Sequence, residues 1–301
     1  MVVSEIMNQK GYALPVVMAI SLIIVAMTLS IAFSTREKIA MMSELKDQSQ
    51  ARLKSHSALN EVIFNILTSN FTSTGIKIYL PEGKWKIWNL YGEPIALNDS
   101  VSVTLRDGAG MVSPVTQPMY LTALLSGTSA STASIYSFLD KLGDWQDADD
   151  LKRLNGAESW DYRTTGYAYT PRNFYVQTLD EIRLLKDFDP SLLDTVRKDI
   201  IYWGSDHVNY LTMSDRLLYA LLKNDKMVGS LLQMRADQLL TGQYFTGLTG
   251  IPRTEMVYPA PSGIIRINVT ARQNEAVDTV EAIIAKRETP TKPLTVLEWN
   301  R

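Results

Sequence analysis

The spacing of hydrophobic and polar positions changes character along this chain. Residues 11–35 carry no charged side chain, and 12–33 are almost wholly apolar. As a helix that run reaches about 33 Å, enough to cross a hydrocarbon core of roughly 30 Å. Residues 36–68 then contain neither Gly nor Pro. Ile39, Met42, Leu45, Leu53, Leu59, Val62, Ile63 and Ile66 recur there at three- and four-residue steps. The pattern predicts one continuous helix that leaves the membrane and ends before Thr72-Ser73-Thr74-Gly75. Pro15 lies near its start, where a missing amide donor costs least. The alternative is a cleaved secretory signal with Ser30-Ile31-Ala32 as its small-residue site.

Beyond the stem the period falls to two. Residues 76–80, 84–88 and 101–105 read as strands, separated by turns at Pro81-Glu82-Gly83 and closed at Asp107-Gly108-Ala109-Gly110. Residues 119–245 read as helical instead. Helices are predicted at 120–125, 135–142, 215–222 and 227–240. Thr178-Leu179-Asp180-Glu181 has the form of a capping box ahead of Ile182, and Asp189-Pro190 that of an N-cap and first-turn proline for a helix through Ile201. Strands return at 264–270, 278–285 and 294–299, with turns near Gln273-Asn274 and Thr289-Pro290. Isolated strand pairs are weakly stable, so the strands at the two ends need each other. The expected fold is α+β: a long N-terminal helix packed on one antiparallel sheet, with a large α-helical domain inserted between strands.

Composition narrows the function. The chain has 301 residues, 46% of them hydrophobic, and a net charge of −2, which argues against a general nucleic-acid binder. The absence of cysteine removes disulfides, thiolate metal sites and cysteine nucleophiles. His56 and His207 are too few for a histidine metal triad. His207 reads as a loop or surface residue that makes no triad with Ser205 and Asp206, and His56 as solvent-facing. Trp85, Trp88 and Trp299 read as sheet packing. The near-neutral balance hides an acidic segment at 144–158. Asp147, Asp149 and Glu158 take relative positions 1, 3 and 12, as in a calcium-binding EF-hand loop, but Leu151 and Lys152 occupy positions 5 and 6, where that motif has a ligand and its glycine. A solvated loop with helix-capping aspartates is the competing reading.

Two groups of motifs resemble a known family. Lys10-Gly11-Tyr12 ahead of an apolar helix is similar to a type IV prepilin leader, cut between Gly11 and Tyr12. Most such subunits have glutamate at the fifth mature position, where this chain has Val16. Its absence is typical of minor pseudopilin K of type II secretion, and a buried carboxylate without a partner is costly in a bilayer. The second group lies mid-chain. Asp144-Trp145-Gln146-Asp147-Ala148-Asp149-Asp150, Gly156-Ala157-Glu158 and Trp160-Asp161-Tyr162 resemble that family's acidic and aromatic run, and Tyr169–Asn173 and Thr178–Leu184 its following elements. Val208-Asn209-Tyr210-Leu211-Thr212 departs from it at Leu211.

The resemblance implies a structural subunit, not an enzyme. It divides the chain into a leader at 1–11, a transmembrane part at 12–33, a soluble part of the stem at 34–70, a pilin-like domain at 71–112 and 259–301, and a helical insert at 113–258. It further implies structural calcium held by Asp147, Asp149, Asp150 and Glu158, with Asp144, Asn209 and Thr212 as further ligands. The implied partners are minor pseudopilins I and J, then H and the major pseudopilin G, with prepilin peptidase, the inner-membrane lipid and no nucleic acid. Leader processing and methylation, and a periplasmic C-terminal domain, belong to the same expectation. Arg36, Lys38 and Lys46 against a lone Lys10 give a charge bias that opposes this orientation. A minor pilin of a type IV pilus and a membrane-anchored hydrolase are the alternatives.

Overall fold

The computed structural model describes residues 13–80, 83–287, 289 and 291–300. Gly11 and Tyr12, and the turn residues Pro81, Glu82 and Pro290, lie outside the described residues. Helix α1 runs unbroken over Ala13–Thr68. Its first half is exposed on every side, the surface expected of a helix that meets lipid and not protein. Its second half packs through Ala51, Ser55, Ala58, Leu59, Val62 and Ile66, which share one face at helical spacing.

That face lies on a five-stranded antiparallel sheet of order β4-β5-β6-β7-β8, comprising Ile95–Asn98, Val101–Asp107, Ile264–Gln273, Ala276–Lys286 and Leu294–Asn300. Alternation selects the inward residues. Val101, Val103 and Leu105 of β5, Ile265, Ile267, Val269 and Ala271 of β6, and Val280, Ala282 and Ile284 of β7 form one core with the stem. Register fixes this match, with Leu105 opposite Ile267 and Val269 opposite Val280. The expected single sheet is corrected here. Asn70–Phe71, Gly75–Tyr79 and Trp85–Asn89 form a separate three-stranded sheet, β1-β2-β3. Asn89 closes a tight loop by exchanging hydrogen bonds with the Glu93 backbone, and Gly92 takes φ +93°. The chain turns there and leaves β3 unpaired with β4.

The insert supplies helices α2 to α8, at Pro118–Ser126, Thr132–Gln146, Ser159–Thr164, Pro190–Val196, Asp215–Leu222, Asp225–Ala236 and Gly242–Thr249. It lies between β5 and β6 in the chain and has its own core, which includes Leu121, Leu124, Tyr162, Ile182, Leu193 and Leu217. It docks on the outer face of the sheet. Arg106 and Arg266, cross-strand neighbours, donate to the carbonyls of Lys198 and Ile200, and Arg106 pairs with Asp199 at 3.0 Å. A further bond from Arg266 explains why α5 stops at Val196 and not at Ile201. The Arg197 carbonyl, which the Ile201 amide would use in an α-helix, accepts from Arg266 at 3.3 Å, and Ile201 donates instead to the Val112 carbonyl at 2.9 Å.

Three other local readings change. Thr178 makes no cap, and Leu179–Leu184 is a 3-10 turn, because Glu181 is drawn to Trp145, Arg172 and the Gln177 amide instead. Helix α7 ends at Ala236, where Gln238 adopts φ +58°. His56 is half-buried and stacks on Trp299, and His207 is buried against Tyr258 at 3.9 Å between ring centroids. Trp88 is in the core, whereas Trp85 and Trp299 lie on the surface.

Candidate metal centre

Helix α3 ends in the acidic segment. Its last turn buries Asp144 and Trp145, and Asp147 caps its C-terminus. The chain then doubles back so that Arg153 faces Asp144. The Arg153 amide and guanidinium both donate to that carboxylate, the latter at 2.7 Å, and the guanidinium also reaches Asp147. Gly156 is required by this approach. A Cβ there would stand 1.8 Å from Asp144 Oδ2, so any side chain would expel the carboxylate. The amide and side chain of Asn155 donate to Asp140 Oδ2 at 3.0 and 2.9 Å, tying the loop to α3.

Two residues later Glu158 starts α4. Its amide donates to Asp161 Oδ2 at 3.0 Å, and Lys152 pairs with Asp161 Oδ1 at 2.7 Å. Lys152 holds the Asp161 carboxyl below its ordinary range. The Glu158 side chain has no such partner. It is 4% exposed, and neither carboxylate oxygen makes a hydrogen bond. Burial, and then the carboxylates of Asp144, Asp147, Asp150 and Asp149, push its carboxyl up to about 7. Asp147 Oδ1 is likewise buried and unpartnered.

Oxygens of Asp147, Asp149 and Glu158 lie within 4.8 Å of one another. Glu158 and Asp147 carry buried oxygens without a hydrogen-bond partner, while the exposed Asp149 accepts from the Leu151 amide at 2.8 Å; three carboxylates converging in this way have the donor chemistry of a hard-cation site. Among the described residues Arg153 offsets the repulsion between these carboxylates in part, its guanidinium bonding to Asp144 and Asp147 and not to Glu158.

The other expected ligands are placed differently. Asp144 is engaged by Arg153, and Asp150 is exposed outside the triplet. The structure does not bring Asn209 and Thr212 to the loop. Thr212 Oγ1 donates to Asp107 Oδ2 at 2.9 Å, while Asn209 donates to the Ser73 carbonyl at 3.0 Å and caps the Tyr210–Thr212 turn. Asp107 is fully buried at the end of the inward row of β5, and also accepts from Ser262 and Ala109. Burial raises its carboxyl against the pull of these donors. The three segments that lead into, through and out of the insert therefore meet at one carboxylate. Sequence spacing gave no sign of this, since the partners are more than a hundred positions apart. Val16 is exposed on α1.

The aromatic run supports the loop from below. Trp145 donates to Glu181 at 2.9 Å and packs against Tyr162 and Tyr169, and Tyr162 accepts from the Lys186 amide at 2.8 Å. Leu151, Leu154 and Trp160 remain exposed beside it.

A stem helix on an antiparallel sheet, with a helical domain inserted before the last three strands, is a pilin-like fold. Residues 102–203 match the family model described as Type II secretion system (T2SS), protein K. A chain of the solved GspK-GspI-GspJ complex from the type 2 secretion system of enterotoxigenic Escherichia coli has the same fold. Its TM-score is 0.51 at 18% identity, over 88% of this chain and 98% of that one. No curated protein matches the chain.

Proposed function

We propose that this chain is the minor pseudopilin K of a type II secretion system, which caps the tip of the pseudopilus and helps to initiate its assembly. The observation that carries this reading is the position of the insert. The domain bearing the matched segment is fastened to the outer face of the pilin sheet by Arg106, Arg266 and the Asp107 junction. A lateral mass held this rigidly obstructs a further subunit above it, while the exposed half of α1 remains free to pack in a fibre. Val16 agrees with a terminal position, since a tip subunit has no neighbour above whose amine a glutamate would meet.

In this reading α1 anchors the chain once in the inner membrane, with the C-terminal domain in the periplasm. Prepilin peptidase removes residues 1–11, and minor pseudopilins I and J bind first, followed by H and G. Ca²⁺ at Asp147, Asp149 and Glu158 locks the loop and has no catalytic part. Co-purification of the full chain with I and J from membranes tests the partnership. A stable three-subunit complex is the expected result, and recovery of the chain alone under conditions where I and J pair would count against it.

A further inference from the structure

A cavity of about 630 Å³ opens between α8 and the segment that leads from the insert back to the sheet. We propose that it binds a single-chain amphiphile: an unbranched acyl chain ending in a carboxylate. The wall is apolar, with Tyr210, Phe245, Ile251 and Tyr258 among its residues. Two ring stacks make it rigid. Tyr210 lies against Phe245 at 5.1 Å, and Tyr258 is held by the buried His207, which also bonds the Ala260 carbonyl. Size and character are those of a small-molecule site, mostly apolar with few polar groups.

Two features argue for an occupant and for its chemistry. Gly247 sits within α8 and lines the cavity. Glycine disfavours a helix interior, and here no neighbour demands it, since a Cβ at 247 would meet nothing within 4 Å. A Cβ at this exposed position on the cavity's lining would enter open space, so a larger side chain can be placed at the cavity's edge without displacing a neighbour. The second feature is Arg253 on the lining. It is exposed, and among the described residues it makes no ion pair. An apolar slot with one free cation on its lining is complementary to an acyl carboxylate. The acidic loop lies elsewhere, so this site is independent of the cation proposal.

The test uses the full chain in lipid nanodiscs and a photoreactive dodecanoate with its diazirine near mid-chain, with labelled peptides located by mass spectrometry. Labelling within 242–259 is expected, competed by unlabelled dodecanoate, with about fourfold weaker competition for each methylene removed. Gly247→Phe should abolish it without lowering the melting temperature, whereas Gly247→Ala should retain it. Arg253→Gln should reduce competition by dodecanoate about tenfold while leaving that by dodecanol unchanged. Label confined to the apolar half of α1, persistence in Gly247→Phe, or equal competition by dodecanol and dodecanoate in the unmodified chain would each overturn the proposal.

Discussion

Replacing Glu158 with glutamine separates a cation site from a solvated acidic loop, because the two readings predict opposite signs. The Glu158 carboxyl is raised from 4.5 to about 7. The folded state therefore holds a proton that the unfolded state has lost between these values. Below pH 4.5 the side chain costs nothing, and as pH rises through 7 the full penalty appears. At about 1.4 kcal/mol per unit this sets a ceiling of about 3 kcal/mol, which water at the loop reduces to about 1–2 kcal/mol. Without divalent cations at pH 8, Glu158→Gln should then be more stable than the unmodified chain by that amount, or by about 2–6 °C in melting temperature. At pH 4 the two should coincide. With millimolar Ca²⁺ the order should reverse, since a cation that binds only the folded state stabilises it in proportion to ln(1 + [Ca²⁺]/Kd) and glutamine removes a charged ligand. The assay is unfolding of the full chain in nanodiscs, followed by tryptophan fluorescence. Lower stability of Glu158→Gln in the metal-free state at pH 8, or an unchanged response to Ca²⁺, would refute the reasoning.

Other outcomes follow from the same geometry. Gly156→Ala should expel Asp144 from its bond with Arg153 and abolish Ca²⁺ stabilisation while leaving the stem and sheet folded, as read by calcium titration and circular dichroism. Asp107→Ala leaves the donors of Thr212, Ser262 and Ala109 without their acceptor, which should cost about 3–5 kcal/mol and loosen the insert. Faster hydrogen exchange across residues 108–112 and 208–213 is the readout. Gly11→Glu should block leader removal, visible as retained mass after incubation with prepilin peptidase. Normal processing of that variant would contradict the leader.

What was legible in the sequence was what local spacing encodes. Leu59, Val62 and Ile66 announce the buried face of the stem through three- and four-residue steps, and Val101, Val103 and Leu105 announce theirs through alternation. The spacing of Asp147, Asp149 and Glu158 foreshadowed their convergence because the connecting loop is short. What was not legible depends on distant partners. Thr178 and Glu181 have the residues of a capping box, yet Trp145 and Arg172 outcompete the local bond. Asn209 and Thr212 carry ligand-type oxygens, but Asn209 Oδ1 accepts from the Leu211 amide and Thr212 Oγ1 donates to Asp107, and no local pattern links β5 to residues a hundred positions later. Helix α5 shows the same competition, since Arg266 takes the Arg197 carbonyl and the Val112 carbonyl takes the Ile201 amide. Gly156 could have been read from its place before Ala157-Glu158, although the reason for it, the closeness of Asp144, is visible only in three dimensions.

The central claim is that the insert makes this subunit terminal. Its most direct test is the position of the chain on assembled pseudopili, labelled through an epitope in the exposed region of Leu154 and imaged by immunogold electron microscopy. Label at one end of each fibre, with none along the shaft, is the predicted result. Label distributed along the shaft would show that subunits add above it, and would contradict the account.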